Sequence, residues 1–166
     1  MVEENIICIA ENLQKDATVR IKEILANGIH FDENLDYGDG EYVGQLVVFV
    51  ADDMPVTGSV YNKYPCGSLH SCYDYNEGVK NGEYAAFYKE GVLKSYGTMS
   101  KGVKHGTIFQ WHENGSIQSV SECKYGYKTS ESVWDENGTL IKQLTEPTAL
   151  SKTMIEKYEQ TEKSKE

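Results

Sequence analysis

The central and C-terminal parts of this chain contain an internal sequence repeat with a period of 24 residues. Residues 81–91 (NGEYAAFYKEG) return as residues 105–115 (HGTIFQWHENG). A fixed period of this length indicates that each repeat is one supersecondary unit, which cannot bury its apolar face alone and must pack on its neighbours. The period therefore constrains the fold of the 166-residue chain more than its composition does.

Two columns of glycine mark the repeat. The first follows short polar pairs such as Lys89-Glu90 and contains Gly67, Gly91, Gly115 and Gly138. The second is expected to close a longer turn and contains Gly58, Gly82 and Gly106. Glycine readily adopts the positive φ that tight hairpin turns require. We therefore predict structural turns at all seven positions.

The segments between the glycines are rich in aromatic and β-branched residues, which favours strands. A glycine every 9 to 15 residues would also interrupt any helix. Each repeat is then a β-hairpin, and successive hairpins form an antiparallel meander with Phe87, Phe109 and Trp111 in its core. The last repeat, residues 129–140, is one residue short and has Ser130 in place of a second-column glycine, as terminal capping repeats often do.

The pattern resembles the MORN-variant repeat family, specifically the bacterial class of antitoxin components of toxin–antitoxin systems. The resemblance covers about residues 44–143 and is carried by residues 55–58 (PVTG), 88–95 (YKEGVLKS), 101–106 (KGVKHG) and 112–117 (HENGSI). It implies a mainly β fold of hairpin repeats and a cytoplasmic protein that binds and neutralises a toxin.

Residues 1–43 form an acidic segment outside the repeats, and we expect one helix in it. Asp16 is a candidate N-cap for a helix over residues 17–26, which Asn27-Gly28 would end, and its apolar face would hold Ile21, Ile24 and Leu25. The β-branched residues Thr18 and Val19 leave a strand open as the alternative.

Residues 144–166 predict a C-terminal amphipathic helix and a charged tail. Pro147 suits the first turn of a helix, and the apolar stripe behind it holds Leu150, Met154, Ile155 and Tyr158. Such a stripe either docks on the sheet and protects a strand edge or binds a partner.

Charge is concentrated in the first third of the chain. The net charge is −10, and residues 1–57 contain 12 acidic and 3 basic residues, against 14 and 13 in the remainder. Nucleic-acid binding is excluded because it needs clustered lysine and arginine. The imbalance indicates a basic partner, a cation or solubility alone. No apolar run has the roughly 20 residues of a membrane span, and the start lacks a basic signal-peptide region, so we expect a cytoplasmic protein. An acidic surface is poorly suited to anionic lipid, which argues against membrane contact.

The strongest site-like feature is the acidic stretch over residues 32–41. It opens like an EF-hand calcium loop, but Tyr37 stands where glycine is required and Val43 where glutamate is required, so we assign no metal and no cofactor. The stretch is either a solvated loop or an electrostatic contact for a basic protein. Its candidate partner-binding residues are Asp32, Glu33, Asp36, Asp39 and Glu41.

Three aromatic residues complete the predicted binding surface. Tyrosine and tryptophan often dominate binding hot spots, and the candidates are Tyr64, Tyr88 and Trp134. The alternative is that such residues belong to the sheet core, since a single bulge reverses which face a side chain occupies. No phosphate-loop or zinc-enzyme motif is present in the sequence, and the serines Ser71, Ser95 and Ser119 share one repeat column, which indicates framework.

The sequence therefore predicts a non-enzymatic binding protein, an antitoxin or immunity protein that occludes a basic toxin. The alternative is a structural scaffold or recruitment module that binds other proteins or membranes.

Overall fold

A computed structural model of the chain describes residues 2–32, 35–37, 47–49 and 52–164. In these ranges the helices are α1 Val2–Lys15, α2 Ala17–Asn27 and α3 Ala149–Lys163. The first three strands are β1 Ile29–His30, β2 Leu35–Tyr37 and β3 Val47–Phe49. The repeats supply β4 Gly58–Lys63, β5 Leu69–Asn76, β6 Val79–Phe87, β7 Leu93–Ser100, β8 Val103–Trp111, β9 Ile117–Lys124, β10 Tyr127–Trp134 and β11 Leu140–Leu144.

Strands β4 to β11 form one antiparallel meander in which every strand pairs with its neighbours in the chain. The fold is mainly β, and the predicted meander of repeat hairpins is confirmed. Strand β1 adds a parallel partner along the outer edge of β4, with Ile29 opposite Val60. The N-terminal segment thus contributes a strand to the sheet of the repeats.

Two kinds of turn alternate along the meander. The first glycine column lies in tight turns with φ between +81° and +90°. In one of them the amide of Gly91 donates to the carbonyl of Tyr88 at 2.9 Å, and the amide of Tyr88 donates to the carbonyl of Val92 at 2.8 Å. The opposite ends of the hairpins are two-residue turns such as Lys101-Gly102, with φ of +50° and +83°. Positive φ at both central residues is the type I′ geometry that matches the twist of paired strands.

The expectation for Gly82 and Gly106 is wrong, because they lie inside β6 and β8 rather than closing a turn. Each marks a bulge where the register between paired strands shifts by two residues. At Gly82 the φ is +125°, and an added Cβ would lie 2.8 Å from the Cβ of Asp74, so only glycine fits. In the last repeat Ser130 takes this place and the register shifts by one residue, which accounts for the missing residue of that repeat.

Two sets of hydrogen bonds join successive repeats. In the first, which we call the turn ladder, the Tyr88 hydroxyl donates to the carbonyl of Trp111 at 2.9 Å, and Tyr64 and His112 make the equivalent bonds to Phe87 and Trp134. In the second, the tip ladder, the amides of Gly78, Gly102 and Gly126 donate to the carbonyls of Val56, Lys80 and Lys104 at 2.7–2.9 Å. The recurring aromatic column therefore ties each hairpin to the next.

Helices α1 and α2 pack on one face of the sheet and create the main core. The predicted core residues Phe87, Phe109 and Trp111 are all buried there. Val60 and Tyr61 are neighbours in β4 and belong to different clusters, so the second cluster lies on the opposite face. That second cluster contains Leu35, Val47, Val56, Val60 and Tyr75.

The N-terminal segment contains two helices where one was predicted. The helical backbone of Asp16 (φ −79°, ψ −6°) connects α1 to α2, and its side chain makes no capping hydrogen bond. Leu25 is 39% exposed rather than part of the packed face. Gly28 ends α2 as expected, since its backbone is extended (φ −82°, ψ 161°). A Cβ there would lie 2.7 Å from the carbonyl oxygen of Ile24, which favours glycine.

The predicted C-terminal helix is confirmed, although it begins later. Thr148 is its N-cap and accepts a hydrogen bond from the amide of Ser151, so Pro147 precedes the helix instead of lying in its first turn. Of the predicted stripe, Leu150 and Tyr158 stay 69% and 43% exposed. Tyr158 stacks on Tyr125 at 5.5 Å between ring centroids, so ring contacts hold α3 at the hairpin tips. Among the described helices, none has the length and apolar character that crossing a bilayer requires.

Candidate protein-interaction surface

A small β layer covers one end of the sheet on the face opposite α1 and α2. Strand β2 pairs with β3, with Asp36 opposite Val48. The chain then turns back, so that the amide of Phe49 donates to the carbonyl of Met54 at 3.0 Å. We call the described residues 32, 35–37, 47–49 and 52–56 the acidic layer.

The inner side of the acidic layer is apolar. Leu35, Val47 and Val56 are buried against Val60 and Tyr75 of the sheet. The amide of Val47 also donates to the carbonyl of Gly78 at 2.8 Å. Burial here raises the pKa of Tyr75 above the ordinary tyrosine value, so its hydroxyl stays neutral at physiological pH. The layer is therefore anchored by packing and not by its charges.

The outer side of the layer carries carboxylates around two exposed apolar side chains. Tyr37 is 54% exposed and Met54 is 59% exposed. The exposed acidic residues of the layer are Asp32, Asp36, Asp52 and Asp53. Residues 28–57 contain no lysine or arginine to offset them. The surface thus combines negative charge with the aromatic and methionine side chains that are enriched in protein interfaces.

Local hydrogen bonds hold two of these carboxylates in place. Asp36 accepts from the amide of Tyr37 at 2.7 Å, and Asp52 accepts from the amide of Met54 at 3.1 Å. Asp32 lies 3.6 Å from Nδ1 of His30. A carboxylate fixed in this way loses less conformational freedom when a cationic partner binds.

The structure places the predicted site residues in three different settings. Asp32 and Asp36 lie in the acidic layer, whereas Glu33, Asp39 and Glu41 fall outside the described residues. Tyr64 and Tyr88 are half-buried and their hydroxyls belong to the turn ladder.

Trp134 lies in the sheet core, which was the alternative to a position on an exposed binding face. Its side chain is only 4% exposed and belongs to the main core with Trp111 and Ile117. The register between β10 and β11 shifts at Val133 and Trp134. Since a bulge reverses which face a side chain occupies, counting alternate positions along the sequence could not place it.

Sequence reasoning missed four residues of this surface. Asp52 and Asp53 were counted among the acids of the first third but were not assigned to a site. Asp53 has φ +55°, a conformation that aspartate tolerates better than most residues. Tyr37 and Met54 gave no signal of their own, because exposure of a single apolar residue is decided by how the strands pack.

A second cluster of polar side chains lies beneath α2 and is a candidate for a reactive site. The Arg20 guanidinium is 2.9 Å from the carboxylate of Glu83 and 4.5 Å from the centre of the Tyr96 ring, which ties α2 to β6 and β7. Burial raises the pKa of the nearby Cys72 thiol to about 12, so it is protonated and weakly nucleophilic at neutral pH. The arrangement is that of a structural clamp.

The serine column and the histidines have structural surroundings. Ser95 shares a hydrogen bond with the Tyr84 hydroxyl at 3.1 Å, and Ser119 donates to Oε1 of Gln110 at 3.0 Å. The ring of His112 takes part in a hydrogen bond of the turn ladder. Within the described ranges, no three His, Cys, Asp or Glu side chains come close enough together to hold a metal ion.

Comparison with known proteins adds no relative to this picture. A scan against protein-family models, a search of curated proteins and a search of solved structures each gave no match.

Proposed function

We propose that this protein is a cytoplasmic, non-enzymatic binding protein, and more sharply an antitoxin or immunity protein that occludes a basic toxin. The observation that carries the proposal is the acidic layer, whose inner side packs on the sheet and whose outer side carries exposed carboxylates. The sequence resemblance to the antitoxin class of MORN-variant repeats supports the same function. Occlusion requires a complementary surface and no catalytic group.

Charge on the acidic layer would act mainly on how fast the partner arrives. Opposite potentials raise association rates by about 10- to 1000-fold and are weakened by salt. Affinity would come from the exposed Tyr37 and Met54, since buried apolar anchors supply most of the binding energy at interfaces.

The test begins with capture of partners by the tagged protein in host extract at low salt, with identification by mass spectrometry. The proposal expects one stoichiometric, small, basic protein that elutes at raised salt. Its expression alone should arrest growth, and co-expression of this chain should restore growth. A captured protein without toxicity would contradict the antitoxin role.

The surface itself is tested by neutralisation without loss of shape. The variant changes Asp32, Asp36, Asp52 and Asp53 to asparagine, which keeps the hydrogen-bonding oxygen and tolerates positive φ. A matched control changes four exposed glutamates elsewhere to glutamine, namely Glu23, Glu90, Glu113 and Glu156. We expect the first variant to lower the association rate constant by about tenfold or more at low salt, and the control to change it far less. Equal effects would show that net charge matters and that the acidic layer does not.

A structural scaffold or recruitment module is the second candidate, and the other end of the sheet favours it. Strand β11 is the last strand of the sheet, and Leu140 and Ile141 on it are 40% and 63% exposed. An exposed strand edge can pair with a strand of another protein. Several substoichiometric partners in the capture experiment, with binding insensitive to the acidic layer, would support this function instead.

A further inference from the structure

A cavity of about 270 Å³ lies between α1 and the turns of the last two repeats. Its floor is apolar, and carboxylates stand among the residues at its rim. The lining side chains that matter here are Ile7, Glu11, Trp111, Ile117, Trp134 and Glu136. The cavity is on the face that carries the helices, and none of its lining residues belongs to the acidic layer.

The size of the cavity suits one side chain better than a free metabolite. Pockets for drug-sized molecules measure roughly 300–1,000 Å³. A single long side chain of a bound protein fills such a space, with its stem against the floor and its end at the rim.

The charge at the rim selects a cation. Glu11 and Glu136 both line the cavity, and none of its described lining residues is a lysine, arginine or histidine. Within the described part of the chain, neither glutamate takes part in an ion pair. Both residues are exposed, so their carboxylates are available to a ligand that enters from solvent.

Arginine fits this combination better than lysine. Its guanidinium is planar, presents five donors and is less strongly hydrated than an ammonium group, so it is preferred where a cation meets carboxylates beside aromatic rings. We propose that this cavity binds an arginine side chain of a bound protein, at a contact separate from the acidic layer, which lies on the opposite face of the sheet.

The turn that holds Glu136 is fixed by its neighbours. Asn114 and Ser116 of the preceding turn both donate to the Glu136 carbonyl at 3.3 Å. Glu113 occupies the same place in that preceding turn and does not line the cavity. The chain therefore contains its own matched control for a glutamate in this turn column.

The chain's two tryptophans both line the cavity, so intrinsic fluorescence reports on its occupation. The probe is N-acetyl-arginine amide, and N-acetyl-citrulline amide is its neutral, nearly isosteric control. We expect a saturable fluorescence change with the arginine probe in the millimolar range and none with the citrulline probe. Glu11→Gln and Glu136→Gln should each weaken binding about tenfold, as the loss of a charge-assisted hydrogen bond does, whereas Glu113→Gln should not.

Failure of the arginine probe to bind would overturn the inference, and so would three further outcomes. They are an equal response to the citrulline probe, equal or tighter binding of N-acetyl-lysine amide, and unchanged affinity in Glu11→Gln and Glu136→Gln variants whose circular dichroism shows an intact fold. Failure of this inference and failure of the proposed function are distinguishable. If the probe does not bind but a basic toxin is captured, only the cavity assignment falls. If the probe binds but no basic partner is captured, the cavity is an arginine site and the proposed function falls.

Discussion

Replacing Gly97 by alanine tests the packing of the sheet in a way that the structure lets us quantify. Gly97 lies in β7 opposite Tyr84 of β6. An added Cβ would lie 2.5 Å from Cδ1 of Ile108, 3.1 Å from the carbonyl oxygen of Thr107 and 3.2 Å from Cε1 of Tyr84. Ordinary carbon–carbon contacts are about 3.5–4.0 Å, so the overlap with Ile108 is about 1 Å.

We expect Gly97→Ala to lower the free energy of unfolding by about 1–2 kcal/mol. Overpacking a filled core costs about 1–3 kcal/mol, and alanine returns about 0.4–1 kcal/mol by restricting the unfolded chain. Gly97 is not among the glycines with positive φ, so no backbone strain is added.

Ile108→Val supplies the decisive second change, because it removes the clashing methyl group. Alone it should cost about 0.5–1.5 kcal/mol. In that background the cost of Gly97→Ala should fall by about 1 kcal/mol, and some cost should remain because the Thr107 carbonyl does not move away. Ile117→Val, in a different cluster, is the control and should be additive with Gly97→Ala.

The assay is urea unfolding followed by circular dichroism and tryptophan fluorescence, with free energies from the midpoint and slope. Coincident transitions from the two probes would license two-state values. The reasoning is refuted if Gly97→Ala is neutral, or if its cost is the same in the wild-type, Ile108→Val and Ile117→Val backgrounds.

Two further changes test the polar framework. Glu131 is 7% exposed and forms salt bridges with Lys128 and Lys142. Burial would raise the pKa of Glu131, but the two lysines outweigh burial and hold this pKa below the usual glutamate range. The ion pairs of Glu131 therefore stabilise the fold fully above about pH 4.3, and this stabilisation is lost as pH falls through the lower native pKa. In urea melts, Glu131→Gln should lower the free energy of unfolding by about 2 kcal/mol at pH 7 and by progressively less towards pH 3. A difference that does not change with pH would contradict this. Tyr88→Phe removes one bond of the turn ladder and should cost about 0.5–1.5 kcal/mol, with faster amide exchange at the adjoining turn; unchanged exchange there would count against the ladder.

The repeat period predicted the meander because a repeat of this length has few ways to bury its apolar residues. The place of the turns was harder to predict. Gly102 and Gly106 are four residues apart and both have positive φ, so the sequence does not reveal which one turns the chain and which one forms a bulge. The most buried residue on the packed side of helix α1 is small, which made the helix hard to recognise. Ala10 is 1% exposed, and alanine contributes little to an apolar pattern.

The sequence predicted the charge of the candidate surface but not which of its side chains are exposed. Charge is additive along the chain, so the acidic third was visible in the sequence. Exposure depends on how the strands pack. Packing buries Trp134 in the core and leaves Tyr37 and Met54 exposed. The cavity beside α1 could not be foreseen, since it depends on a helix and on turns that are more than 100 residues apart in the sequence.

The two ladders join only neighbouring hairpins, so nothing within the sheet limits how many copies of the 24-residue unit it could hold. The limit is set by the helices. Helix α2 contacts β4 and β5 while α1 contacts β9, so the pair spans the sheet from β4 to β9. The 14 and 11 residues of α1 and α2 reach about 37 Å at 1.5 Å per residue. One inserted hairpin would widen the sheet by about 10 Å. A duplicated repeat would therefore pair with its neighbouring strands, but α1 and α2 would be too short to cover the apolar face it adds. The combined length of the two helices thus sets the number of repeats.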